Sequence, residues 1–532
     1  MPGRFFMKYL FLIISVFQSC MAFTQMQLSP SFGTGGVVKI SLDDFTEPVG
    51  ILKLNDDSLL LLSNVTQADT LVTTDFAITK LTPDGGVDIG FGQNGSLRYD
   101  FKGMEVSAAN SFLVLDDAKI LVLGTGHSLA NDSFLPACLM KLFPNGHVDS
   151  AFGNNGTLNL QFDGIQEFPR IIKKAAGNKI IVGGFSTDSM HTHVDVPAIA
   201  RMNENGTLDS TFGDKGKTYL RFPNGIISAS RHTVGGVLYD VLELSNGTYL
   251  ASGGYSNGLN LIGFITHLNH DGSIDTGFFS SGYMAVDFTP YSNSQIIKMK
   301  EGANGLIWFG ATSAATQGKD FFTGNLNIST GDYNVAPIDF NGNEDNLADI
   351  QVDANGNSFF IGKTSLPQHT SGAYQSDYFA INFSPAATFP FSGQQFIFSE
   401  DTTLQSGAVS SIMQTNGDLI CYGFKNKPDG RSELMLIAVN VSEVLSVDDT
   451  KAEETFIRVF PNPSNGIINV LSNGSEPITE LLVTDIMGRE MIALINTSFT
   501  SWSFDISNLA RGAYILKGKS AGRSFFSKVV LQ

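Results

Sequence analysis

Five segments of this chain spell variants of one phrase, and their regular return limits what it can fold into. They are Pro30-Ser-Phe-Gly-Thr-Gly-Gly36, Asp84-Gly-Gly-Val-Asp-Ile-Gly-Phe-Gly-Gln-Asn-Gly95, Asn145-Gly-His-Val-Asp-Ser-Ala-Phe-Gly-Asn-Asn-Gly156, Asn205-Gly-Thr-Leu-Asp-Ser-Thr-Phe-Gly-Asp-Lys-Gly216 and Asp271-Gly-Ser-Ile-Asp-Thr-Gly-Phe-Phe-Ser-Ser-Gly282. Their phenylalanines Phe32, Phe91, Phe152, Phe212 and Phe278 are spaced by 59, 61, 60 and 66 residues. A fixed period of this length is the signature of stacked supersecondary units. Such stacking also explains how 532 residues bury their apolar side chains without one oversized core.

Between these phrases lies a second recurring element, an apolar run, a turn and another apolar run. It begins at Ile51, Phe112, Ile171, Val241, Ile296, Ile350 and Ser411. Asn-Gly at 246–247, 304–305, 355–356 and 416–417 suits tight hairpin turns, and the flanking runs are rich in β-branched and aromatic residues. A third strand follows each hairpin, as in Phe76-Ala-Ile-Thr-Lys-Leu81, and a fourth follows the Phe-Gly phrase, as in Leu158-Asn-Leu-Gln-Phe162. Only six fourth strands lie between the seven hairpins. The missing one is Val37-Val-Lys-Ile-Ser-Leu42, ahead of the first hairpin, where it can complete the last sheet. The expected fold is all-β, a seven-bladed β-propeller of four-stranded blades, with ring closure across the ends removing exposed sheet edges. The recurrent Asp88, Asp149, Asp209 and Asp275 fit turns in which the carboxylate accepts an amide two residues on, with the phenylalanine filling the gap between blades. Calcium is a poorer fit, because it needs six to eight oxygens and no Asp-x-Asp-x-Asp-Gly loop is present.

On these phrases and hairpins, residues 28–446 resemble the delta-60 repeat, a family of extracellular propeller repeats. The later repeats depart from the pattern: Asp339-Phe-Asn-Gly342 and Phe389-Pro-Phe-Ser-Gly393 lack the full phrase.

The ends add a route. Arg4 and Lys8 precede the apolar run Tyr9–Phe17, followed by Ala22-Phe-Thr-Gln25, the layout of a secretory signal peptide over 1–25. The run is too short for a membrane span, and Phe17-Gln-Ser-Cys20 does not fit a lipid-acceptor motif. The formal charge of −18 disfavours nucleic acid, whose phosphates need clustered Lys and Arg. Cys138 and Cys421 each sit in an apolar strand-like run and read as buried free thiols.

After residue 441 the repeat stops. Residues 442–455 are acidic and polar, a linker, and a new short-strand pattern follows over 456–532 that reads as a small Ig-like β-sandwich. Its landmarks are Phe460-Pro-Asn-Pro-Ser-Asn-Gly466, with Pro461, Asn462, Pro463 and Gly466 at a turn; Asp485, Gly488 and Arg489; Gly512 and Tyr514; and Lys528. In this order they are similar to the type IX secretion C-terminal sorting domain of Bacteroidota, with Phe460 where Tyr is commoner. The resemblance implies export across the inner membrane, docking of the tail on an outer-membrane translocon, cleavage by a sorting protease, and a secreted or surface-attached product. The 26–441 region is the expected propeller.

Candidate chemistry is sparse. Acidic residues near the starts of first strands, Glu47, Glu105, Glu167 and Glu344, are candidates for a ligand-binding loop face, with the alternative that each carboxylate satisfies strand amides. Two distinctive loops add His191 and His193, and His369 and Tyr374. His-x-His supplies two zinc ligands without a third at a recognised spacing, so no metal is expected. No nucleophile elbow, phosphate-cradling loop or His-Glu-x-x-His helix occurs. The sequence therefore favours a monomeric, cofactor-free, non-catalytic scaffold for binding or adhesion to a glycan or protein. The alternative is a secreted glycan hydrolase or lyase using carboxylates at the propeller tunnel.

Overall fold

The computed structural model describes residues 26–441 apart from 43, 68–72, 102–103, 128–135, 163, 165, 188–194, 223–234, 257–258, 289–290, 303–304, 316–317, 341–343, 367–375, 385–394 and 402–403, and residues 457–531 apart from 461–463, 473–476, 486–489, 500 and 521–522. The chain divides into two compact units, Met1–Leu445 and Ser446–Gln532. Among the described residues every element is a strand except the single 3-10 turn Phe278–Ser280.

The first unit is all-β and built from four-stranded antiparallel sheets joined in chain order. The third repeat is typical: Glu167–Ala175 pairs with Lys179–Thr187, which pairs with Asp195–Asn203, which pairs with Lys217–Tyr219. The other first strands are Phe45–Lys53, Val106–Val114, Gly236–Glu243, Ser292–Glu301, Asp345–Val352 and Ser406–Met413. The sheet that begins at Ser406 takes its outer strand from the other end of the chain. Val37–Ile40 pairs with Ser432–Asn440 from Val37↔Ile437 to Ile40↔Leu434, the placement expected from the count of fourth strands. Gln27–Leu28 extends the same edge, which the sequence reading did not foresee.

Each apolar core is shared by consecutive repeats. Leu121, Leu139 and Phe152 pack with Ile172, Val182 and Ala200, and Phe32, Leu59 and Leu61 pack with Ile420, Tyr422 and Leu434, joining the last repeat to the first. No repeat buries its own faces alone, so stability is carried by interfaces between neighbours.

The recurring phrase has the geometry its spelling implied. Asp88, Asp149, Asp209 and Asp275 accept the amides of Gly90, Ala151, Thr211 and Gly277 at 3.0–3.2 Å. The other oxygen of each pairs with Lys80, Lys119, Arg201 or His267. The phenylalanine that follows is buried, and Phe91, Phe152 and Phe212 lie against the glycine of the next phrase. A Cβ on Gly146 or Gly206 would sit 3.0 Å from the Phe91 or Phe152 ring, and one on Gly272 only 2.6 Å from Phe212. These glycines also adopt φ between +76° and +92°, so both space and backbone conformation require them.

The second unit contains two sheets. Ile457–Phe460, Ile467–Ser472 and Ser501–Asp505 form one; Glu490–Phe499, Ile478–Asp485, Gly512–Ser520 and Arg523–Leu531 form the other. Ile468 and Val470 of the first share a core with Leu481, Val483, Tyr514, Leu516 and Val529 of the second. Gly466 has φ +134°, and a Cβ there would lie 2.7 Å from Ser507. The Tyr514 hydroxyl donates to the Ala510 carbonyl at 2.5 Å.

Candidate ligand-binding site

Every first strand carries a β-bulge at the same point. The register with the second strand skips Val49, Asn110, Arg170, Tyr239, Ile297, Ala348 and Val409 in turn. A bulge frees one residue from strict side-to-side alternation and re-aims its side chain. First strands of successive repeats touch one another, and the last touches the first, so these residues recur along one run of neighbouring strands.

In three repeats the residue after the bulge serves the next repeat. A first strand has a free edge whose amides need partners. Ser111 Oγ accepts the Ile172 amide, Asp240 Oδ2 accepts the Met299 amide at 2.9 Å, and Asp349 Oδ2 accepts both the amide and the hydroxyl of Ser411 at 2.8 and 2.9 Å. Asp240 is fully buried, and its Oδ1 meets Lys173 Nζ of the preceding repeat at 2.5 Å. Burial works to raise the Asp240 carboxyl, but the charges of Lys173 and Lys298 outweigh it and hold the group below the ordinary carboxylate range. Burial pulls the Lys173 ammonium down, while Lys298, also desolvated, is held up by Asp240 and Asp349. Lys298 makes no direct ion pair among the described residues. Three ammoniums, Lys173, Lys298 and Lys300, thus interact around two carboxylates already committed to strand amides.

Arg170 precedes Lys173 by three residues on the same first strand. Its guanidinium carbon lies 5.6 Å from the centre of the Phe185 ring and 4.9 Å from that of Tyr239, the bulge residue of the next repeat. Phe185 is itself stacked on Phe168 at 4.6 Å and 17°. Arg170 remains exposed and Tyr239 half-buried. The arrangement presents an exposed cation lying over two aromatic rings.

The residues expected from sequence fall elsewhere. Glu47 and Glu105 are exposed at or just before first strands, and Glu344 is half-buried, its carbonyl accepting the Ser365 amide. Glu167 is fully buried. Its Oε1 accepts the amides of Phe162 and Gly164 at 3.0 and 3.1 Å. The same register in other repeats holds Ser107, which accepts the Phe101 amide, and Asp345, which accepts the Phe340 amide. Glu47, Glu105 and Glu344 stand at other registers, so the four acids do not form one equivalent set. Burial pushes both Glu167 and Asp345 up to about 7. His191, His193, His369 and Tyr374 lie outside the described residues, as do Pro461, Asn462, Pro463, Gly488 and Arg489. Asp485 and Lys528 lie on strands of the second unit.

The sequence reading missed Arg170, Lys173, Tyr239, Asp240 and Lys298. The available signal was a polar residue interrupting the first apolar run of the third to sixth repeats, where the first repeat reads Val49-Gly50-Ile51-Leu52.

Residues 458–532 match the model of the secretion system C-terminal sorting domain. The C-terminal unit is a type IX sorting domain. The protein is therefore exported by type IX secretion to the cell surface or the extracellular space. Residues 178–212 match a beta-propeller domain of unknown function, DUF5122, so the chain is a propeller protein with a sorting tail. No curated protein matches it. Among solved structures it is similar to a protein of unknown function from Dyadobacter fermentans, at 12% identity over 77% of this chain and 100% of that one, with a TM-score of 0.41. It is also similar to an ulvan lyase of family PL25, at 10% identity over 76% and 96% with a TM-score of 0.46, and to the phage phi92 endosialidase, at 11% over 88% and 76% with a TM-score of 0.39. At these scores the likenesses carry no argument about chemistry.

Proposed function

We propose that residues 26–441 form a closed seven-bladed propeller acting outside the cell as a non-catalytic binding scaffold, preceded by a signal peptide over 1–25 and followed by a linker over 442–455 and an Ig-like tail. The sharing of each apolar core by successive repeats, including last with first, supports the closed count. The ligand face is the one formed by the fourth-to-first and second-to-third connections, where Glu47, Glu105 and Glu344 and the loops bearing His191, His193, His369 and Tyr374 belong.

The observation that carries the binding reading is the commitment of the buried acids. Glu167 and Asp345 have the near-neutral pKa of a general acid, which favours the hydrolase or lyase alternative. Both are sealed from solvent, and both accept backbone amides of their own repeat's leading segment. A screen of the full secreted chain on a glycan array and polysaccharide panel, scoring retention and released sugar together, tests this. Retention without release is expected; release abolished by Glu167→Gln would overturn it.

A further inference from the structure

A chain with an excess of 18 negative charges has placed its cations unevenly along the first strands. Arg170, Lys173, Lys298 and Lys300 belong to the third and fifth repeats, while the carboxylates among them, Asp240 and Asp349, are spent on strand amides and on Lys173. Arg170 makes no ion pair among the described residues. Its guanidinium lies over two rings instead, and its N–H groups donate to no group among the described residues. Guanidinium donors in a fixed fork match the two oxygens of a carboxylate or sulfate. Phe185 is buried, and the half-buried rings of Phe168 and Tyr239 flank the guanidinium with flat apolar surface of the kind that packs on the C–H face of a sugar.

We propose that Arg170, lying over the Phe185 and Tyr239 rings, anchors an acidic polysaccharide by its anionic groups, with Lys298 and Lys300 adding positive charge from the first strand of the fifth repeat. This deepens the binding reading and rests on it. The recognised chemistry is an anionic oxygen pair on a sugar, whether uronate carboxylate or sulfate ester.

The test uses the full chain and its variants in affinity electrophoresis against polygalacturonate, which carries carboxylates only, λ-carrageenan, which carries sulfates only, and neutral dextran and laminarin. Retention by at least one acidic polymer, weakened by added salt, and weak or no retention by the neutral ones are expected. Arg170→Ala should weaken retention at least tenfold. Arg170→Lys should restore only part of it, because the charge returns without the planar fork, and Tyr239→Ala should weaken it with Arg170 intact. Thermal melts of each variant separate loss of binding from loss of fold; Arg170 is exposed, so its variants should melt with the wild type. Equal retention of neutral polymers, or acidic retention unchanged in Arg170→Ala, overturns this inference and leaves the scaffold standing. Absence of retention by any polymer overturns both for glycans.

Discussion

Glu167 gives the sharpest test of the energetics, because a single substitution removes its titration while keeping its hydrogen bonds. In the folded protein its carboxyl is raised from 4.5 to about 7, chiefly by burial, against the lowering effect of the Gly164 and Phe162 amides. Between those values the folded state holds a proton that the unfolded state has released. Stability from this group is therefore complete below about pH 4.5 and is lost as pH rises through about 7. The displacement converts to about 3 kcal/mol by pH 8. For a cooperative unit of about 400 residues the unfolding entropy is about 0.9 kcal/mol/K, so the loss corresponds to about 3–4 °C in Tm. The net negative charge of the chain also weakens it as pH rises, so the informative quantity is a difference. Glu167→Gln keeps Oε1 as an acceptor for both amides and cannot ionise. Calorimetric scans of the full chain should show the Tm of Glu167→Gln minus wild type rising from about 1 °C at pH 5 to about 3–4 °C at pH 8. A difference that is constant with pH, or that reverses sign, refutes the claim that Glu167 is a buried acid serving the backbone.

Three further outcomes follow from the same geometry. Phe212 is fully buried against Gly272 and under the Arg201 guanidinium at 4.7 Å, so Phe212→Ala should cost about 3–5 kcal/mol in urea denaturation, whereas Phe279→Ala, at a 40% exposed position, should cost under about 1 kcal/mol. Asp240→Ala leaves the Lys173 ammonium and the Met299 amide without their partner and should destabilise by about 3–5 kcal/mol, measured the same way. Cys138 and Cys421 are buried, and burial pushes the Cys138 thiol up to about 11 and Cys421 higher still; the chain from Met26 onward should therefore react with a thiol reagent such as DTNB only after unfolding.

The repeat was legible because its determinants are local. In Asp149-Ser-Ala-Phe152 the carboxylate finds its amide two residues away, and the phenylalanine meets a glycine one period on, Gly206, so spelling and spacing carried the geometry. The tail was legible for the same reason, through a run of short motifs around Gly466, Gly512 and Tyr514. The binding candidates were not, because their grouping depends on register. Connections into the first strands differ in length, so Glu105 and Glu167 look alike in sequence while only Glu167 reaches the amide-accepting position that Ser107 takes in its neighbour. A bulge then shifts the alternation by one residue, and the partner of Arg170 is Tyr239, a full repeat away with a long connection between them.

The same bulge explains why structural and ligand-facing polar residues are interleaved. A first strand cannot pair its free edge with another strand, so neighbouring side chains must satisfy its amides; Ser111, Asp240 and Asp349 do so from the residue after the bulge. Polarity at that position, which Gly50 and Ile171 hold in other repeats, is accounted for in these three repeats by the strand amides and says nothing about a ligand. The residue that the register skips has no such duty, and across the repeats it is Val49, Asn110, Arg170, Tyr239, Ile297, Ala348 and Val409. Apolar or small side chains satisfy the backbone there equally well. A long cation stacked on the ring of the next repeat's bulge residue has no architectural cause at such a position, and an exposed Arg170 gains from an ion-pair partner that the described residues do not supply. The charge that the amides do not use is the charge left to meet an anion from outside.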